Sequence, residues 1–188
     1  MKNIISTVLL MIGISLGFDK SLVGKDFLDF TVIDEFGKEM KASQIISEKP
    51  AIIVFFALGD QQGTFKFMPE LNELYDIYKN KLTFMTVLLS RCNLEEVREL
   101  KRIIPLRLPV YLGYKDAIRN YNILKIDVPI ILLIDAKGKI KHLIARPEST
   151  EIEIFPPEKR YKIRNTQRER ISSSIRLIKG YINDIIKE

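Results

Sequence analysis

Residues 51–58 read Ala-Ile-Ile-Val-Phe-Phe-Ala-Leu, a continuous apolar run built from β-branched and aromatic side chains. A strand with one wet face alternates apolar and polar positions. A run with no polar position needs cover on both faces, which is the habit of strands inside α/β layers. Residues 128–134 form another such run, residues 82–89 a mostly apolar buried strand, and residues 108–112 a further short strand. Between them the period changes. Phe67, Leu71, Leu74, Ile77 and Tyr78 recur at helical spacing after the first run. Leu94, Val97 and Leu100 do so after residues 82–89, opened by Asn93 as N-cap with Glu95 and Glu96 in the first turn.

The remaining pieces fit the same alternation. Phe27, Phe30, Val32 and Ile33 make a short apolar strand, Glu35-Phe36-Gly37-Lys38 a turn, and residues 40–45 lead toward a short helix. Residues 116–121 form another short helix. Residues 128–134 and 139–144 make a hairpin across Asp135-Ala136-Lys137-Gly138, where the glycine supplies the turn. Strand–helix–strand–helix–strand followed by a hairpin predicts an α/β sandwich with a mixed central sheet flanked by helices. The length of 188 residues suits one such domain. Residues 147–165 read as an insertion or linker broken by Pro147, Pro156 and Pro157, with a brief edge strand at 151–154. An extra C-terminal amphipathic helix follows over 166–187. Its Ile171, Ile175, Ile178, Ile182 and Ile185 step by four, three, four and three, an apolar stripe on one side. Such a stripe covers the chain's own sheet or zips two chains into a homodimer, and the first is the reading adopted.

Composition narrows the chemistry. The chain has one cysteine, Cys92, which excludes an intramolecular disulfide and a thiolate metal cage; one histidine, His142, excludes a multi-histidine site. No metal or other cofactor is expected. The net charge of +6 is concentrated at the end: residues 158–188 hold nine Lys or Arg against four Asp or Glu. This reads first as a solvated helix face, with contact to an anionic membrane surface as a second use and no nucleic-acid partner expected. At the other end, Lys2 precedes the uncharged apolar residues 4–18. That run is short of the roughly 20 residues a spanning helix needs, and suits the apolar region of a secretory signal. Ser15-Leu16-Gly17 offers a small-x-small cleavage site. The expectation is an exported protein, periplasmic or otherwise extracytoplasmic, with residues 1–18 cleaved or retained as an anchor. A buried core element is the third use of that run.

Four segments carry a resemblance. They are residues 23–30 followed by Asp34-Glu35-Phe36-Gly37-Lys38; residues 51–71 with Met68-Pro69-Glu70-Leu71; Asp127-Val128-Pro129 with the strand to Asp135; and Ala136-Lys137-Gly138-Lys139-Ile140. In this order they resemble the TlpA/ResA-like redoxins of the thioredoxin fold, with the AhpC/TSA peroxiredoxins as close relatives. The resemblance covers about residues 23–146. It implies a cis peptide bond at Pro129, and a groove in which the backbone before it pairs with an extended peptide.

The sequence departs from that pattern at the redox site. The loop after the first strand reads Gly59-Asp60-Gln61-Gln62-Gly63, and the family's two cysteine positions fall on Asp60 and Gly63. The peroxiredoxin cysteine, near Thr64 or Phe65, is missing too. Dithiol exchange needs one thiolate to attack and a second thiol to resolve; a carboxylate at Asp60 does neither, and its expected work is to cap the helix that follows. Asp29, Asp34, Asp60 and Glu70 form no evident acid–base pair by spacing. The sequence therefore reads as a thioredoxin-like module with a degenerate redox loop that holds a protein or peptide client at Asp127, Val128 and Pro129. The alternative is a thiol oxidoreductase or one-cysteine peroxidase acting through Cys92. That thiol lies beside Arg91 and a helix start, features that lower a thiol pKa. His142 reads as a surface residue of the hairpin.

Overall fold

The structure is a computed structural model, and it describes residues 20–46, 49–59, 63–113, 115–123, 128–147 and 167–187. The expected signal segment at 1–18, nearly all of the expected insertion at 147–165, and Asp60, Gln61, Gln62 and Asp127 lie outside them.

Seven strands form one mixed sheet in the order β2-β1-β5-β4-β3-β6-β7. They are β1 (Thr31–Ile33), β2 (Glu39–Lys41), β3 (Ala51–Phe56), β4 (Thr83–Leu88), β5 (Val110–Leu112), β6 (Ile130–Ile134) and β7 (Ile140–Ala145). Strands β3, β4 and β5 run parallel, because each is joined to the next by a crossover helix: α2 (Leu71–Tyr78) and then α3 (Leu94–Ile103). Strands β6 and β1 are antiparallel to their neighbours β3 and β5. The described helices also include α1 (Ala42–Ile45), α4 (Asp116–Tyr121) and α5 (Gln167–Lys187).

Burial explains the unbroken apolar runs. All six residues of β3 and all five of β6 are buried. Side chains alternate between two cores. Ile52, Val54 and Phe56 face a core shared with α2, α3 and α5; Ile53 and Phe55 face one shared with the N-terminal segment, α1 and α4. The isoleucine stripe of α5 resolves as its own sheet's cover: Ile178, Ile182 and Ile185 are buried in the same cluster as Ile131 and Leu133, and Ile175 is half-buried. That stripe is therefore spent within the chain.

Two turns share one chemistry. Asp34 Oδ1 accepts the amides of Phe36 and Lys38 at 2.9 and 2.8 Å, and Asp135 Oδ1 accepts those of Lys137 and Lys139 at the same distances. Gly37 (φ 88°) and Gly138 (φ 79°) take the left-handed conformation that closes each turn. The segment around Gly24–Phe27 then bonds across to Gly138 and Ile140 at the start of β7.

Several expectations shift in detail. The stretch at 27–33 pairs as a strand only from Thr31, and that at 108–112 only from Val110. The helix after β3 opens as a π turn (Gly63–Phe67) and a 3-10 turn (Met68–Glu70), with regular α geometry only from Leu71. Its Ile77 points outward, 49% exposed, so the buried stripe is Phe67, Leu71, Leu74 and Tyr78. His142 is not a free surface residue of the hairpin: its ring stacks on Tyr181 of α5, centroids 3.8 Å apart and planes 6° apart.

Candidate functional site

The candidate site lies where β3 and β4 end and β6 begins. Parallel strands deliver their following loops to one end of a sheet, and ligands of open α/β sheets bind there. Antiparallel pairing of β6 brings its start to that same end: Phe55 pairs with Ile130. Val128 and Pro129 directly precede Ile130, at the end of the sheet where β3 finishes. The Val128–Pro129 peptide bond is cis, the geometry the redoxin resemblance implies. Val128 is buried, and the Pro129 carbonyl accepts the amide of Arg146 at 2.7 Å. Arg146 takes a left-handed backbone (φ 50°) to make that turn.

The loop after β3 is held at its described ends. Leu58 donates its amide to Ser90 Oγ at 2.7 Å, which ties it to the loop after β4. Leu89 donates to the Phe56 carbonyl at 2.8 Å just before. Gly59 has φ 95°, with open space where a Cβ would stand. Gly63 is buried and Thr64 fully so, its hydroxyl donating to the Ala57 carbonyl at 2.8 Å. The π turn thus folds back on the strand end, and it leaves Phe65 at 43% exposure.

Cys92 stands on the neighbouring loop, between β4 and α3. It is half-buried against the α2/α3/α5 core, with Sγ 3.5 Å from the Ser90 carbonyl. Burial pushes its thiol above the ordinary value of 9.0, and the Glu96 carboxylate pushes the same way. The sequence reading considered a thiol lowered by Arg91 and the helix start, and the direction is the reverse. The second and smaller cause is visible in the cap. Glu96 reaches back to the Asn93 amide at 2.7 Å while Asn93 Oδ1 accepts the Glu96 amide at 2.9 Å. This capping box brings a negative charge to the helix start beside the cysteine.

Of the site residues read from sequence, the structure describes Gly59, Gly63, Val128 and Pro129 and brings them to one end of the sheet, with Cys92 on the adjoining loop. Asp60, Gln61, Gln62 and Asp127 fall outside the described residues, as does the expected helix cap at Asp60. Sequence reasoning missed Ser90, Thr64 and Arg146, which hold the loops together. A hydroxyl directly after a buried strand was the one available signal, and it is weak. No group of three or more His, Cys, Asp or Glu is placed to hold a metal among the described residues.

The pattern of the AhpC/TSA family matches residues 23–143, well over half of the chain. The protein belongs to that family. No curated protein matches it. Among solved structures, the chain is similar to a candidate protein disulfide isomerase from Bacteroides thetaiotaomicron, 19% identical with TM-score 0.62, covering 88% of this chain and 91% of that one. It is also similar to the thioredoxin domain of a thiol-disulfide oxidoreductase from Bacteroides vulgatus, 23% identical with TM-score 0.56, covering 64% and 86%. A third is StoA from Bacillus subtilis, 21% identical with TM-score 0.51, covering 63% and 87%. These likenesses establish the thioredoxin-like fold, the redoxin class the sequence resembles.

Proposed function

We propose that this protein is a non-catalytic, thioredoxin-like binding module of the cell envelope, which holds a protein or peptide client in the groove between the Gly59–Gly63 loop and Val128–Pro129. One observation carries the reading. The loop ends that form a redoxin's site are assembled and hydrogen-bonded, while the chain's single thiol lies on a different loop with its pKa raised. An extended client would pair with backbone near Val128, in the manner of strand addition, and the half-exposed ring of Phe65 offers apolar contact beside it. Structural relatives named for disulfide exchange make a thiol-bearing client the natural class to try first. Export rests on Lys2 and the apolar residues 4–18; among the described residues no helix is long and apolar enough to cross a membrane.

The test is binding of extended peptides, with and without cysteine, followed by amide chemical-shift mapping. Shifts clustered at Gly59, Gly63, Phe65 and Val128 are expected. Shifts confined to other surfaces would remove the groove. Assays of hydroperoxide consumption and disulfide reduction run alongside on wild type and Cys92→Ser. Turnover by wild type that vanishes in the variant would replace this reading with one-cysteine chemistry.

A further inference from the structure

The buried stripe of α5 leaves the helix an outward face, and that face has a pattern of its own. Arg176, Gly180 and Asp184 are exposed and spaced four and four, so they stack along one side. With Ser173, Leu177 and Tyr181 they line an open notch of about 420 Å³. Gly180 forms its floor, with nothing within 4 Å of where a Cβ would stand. Leu177 is 47% exposed at its rim.

The two charges that line this notch are antisymmetric about the glycine. Arg176 and Asp184 each lie four residues from Gly180, about 6 Å along the axis in opposite directions. They are about 12 Å apart, too far to pair with each other, and neither makes an ion pair among the described residues. A surface of this kind complements itself when turned end over end. A two-fold axis at Gly180 sets Arg176 of one copy level with Asp184 of the other, twice, as an isologous contact requires. A parallel copy would set like charge on like. An anionic membrane is the poorer match, because Asp184 stands on the same face.

We propose that the outward face of α5 docks a second copy of this chain, antiparallel and crossing at Gly180. The glycine lets the two helices approach closely, the leucines at the rim bury apolar surface, and the reciprocal Arg176–Asp184 pairs fix direction and register. The proposal is independent of what the groove binds, since α5 packs on one face of the sheet and the groove sits at its end.

The experiment is sedimentation velocity of the full chain over a concentration series, at low and high salt, with folding checked by circular dichroism. Wild type is expected to dimerise, more weakly at high salt. Arg176→Asp and Asp184→Arg each place like charges together, and each is expected to weaken the dimer by at least about tenfold. The double swap R176D/D184R restores the pairing and is expected to return most of the affinity. A wild type that stays monomeric throughout overturns the proposal. So does a double swap no tighter than either single variant. Anionic vesicles are tested in parallel: vesicle binding that is lost in Lys179→Glu, with no self-association in solution, would assign this helix to a membrane surface instead.

Discussion

On one face of the sheet, α5 lays Ile178, Ile182 and Ile185 against Ile131 and Leu133, beside aliphatic residues of α2 and α3. On the other, rings pack on rings. Phe55 of β3 lies 5.6 Å from Phe30 and 5.3 Å from Tyr121, and Phe30 meets Tyr121 edge-on at 6.0 Å. The Tyr121 hydroxyl then donates to the Leu28 carbonyl and accepts the Leu28 amide, both at 2.9 Å. The first face is closed chiefly by the longer helices α2, α3 and α5, whose contacts repeat each turn. The second is covered by an irregular segment and short helices, locked by a few large side chains and one bridging hydroxyl. A face covered by regular helices spreads its stability over many similar contacts, and one covered by loops concentrates it in few.

That contrast can be broken with two truncations. Phe55→Ala removes the ring at the centre of the aromatic cluster and should lower stability by about 3–5 kcal/mol. Ile182→Ala empties an equally buried position on the aliphatic face and should lower it by about 2–4 kcal/mol. Urea denaturation of both variants measures the difference. A larger loss at Ile182 would mean that α5, and not the aromatic lock, is the stronger closure.

A sharper test isolates the bridging hydroxyl. Tyr121→Phe keeps the ring and removes both of its hydrogen bonds to Leu28, a loss of about 1–2 kcal/mol at neutral pH. The effect carries a pH signature. Burial, with a smaller push from Asp29, raises the Tyr121 hydroxyl far above its ordinary value of 10.0, although its bond to Leu28 acts the other way. A raised folded pKa gives stability that is complete below the unfolded value and declines as pH climbs past it. Above pH 10.0 the unfolded wild type sheds this proton while the folded protein keeps it, so wild type weakens and the variant is spared that loss. The gap between their stabilities should narrow as the solution becomes more alkaline. A constant gap would mean that the hydroxyl is not held as drawn.

The same division decides what could be read from sequence. The runs of β3 and β6 and the isoleucine period of α5 are local signals, and they gave the sheet, the layers and the C-terminal cover. The aromatic lock joins Leu28 to Tyr121, 93 residues apart, and no local pattern announces such a pair. The site divides likewise. The order of segments pointed to the loops, to Val128 and Pro129, and to the absence of redox cysteines. The Ser90–Leu58 and Thr64–Ala57 bonds depend on how strands register across the sheet. The direction of the Cys92 thiol's shift was not legible, because a neighbouring cation is written in the sequence beside it, whereas burial and the placement of Glu96 are properties of the fold. Ile77 sits three residues from Leu74 but faces outward, because six residues at about 100° each carry it roughly 120° round the helix from Leu71.

The smallest effect tests the loop that joins site to scaffold. Asn93→Ala deletes the side-chain acceptor of the Glu96 amide while leaving the Glu96 bond to the residue 93 amide in place. The expected loss is about 1 kcal/mol. If it falls on the first turn of α3, that turn opens more often without unfolding the sheet. Cys92, packed beside it, should then react with a thiol reagent roughly fivefold faster, the factor that about 1 kcal/mol carries in an opening equilibrium. Labelling kinetics of the variant against wild type decide this. Faster labelling whose rate hardly rises with low urea places the opening in the cap, and a rate that climbs with urea as steeply as global unfolding does means that the thiol is reached only when the whole sheet face comes apart.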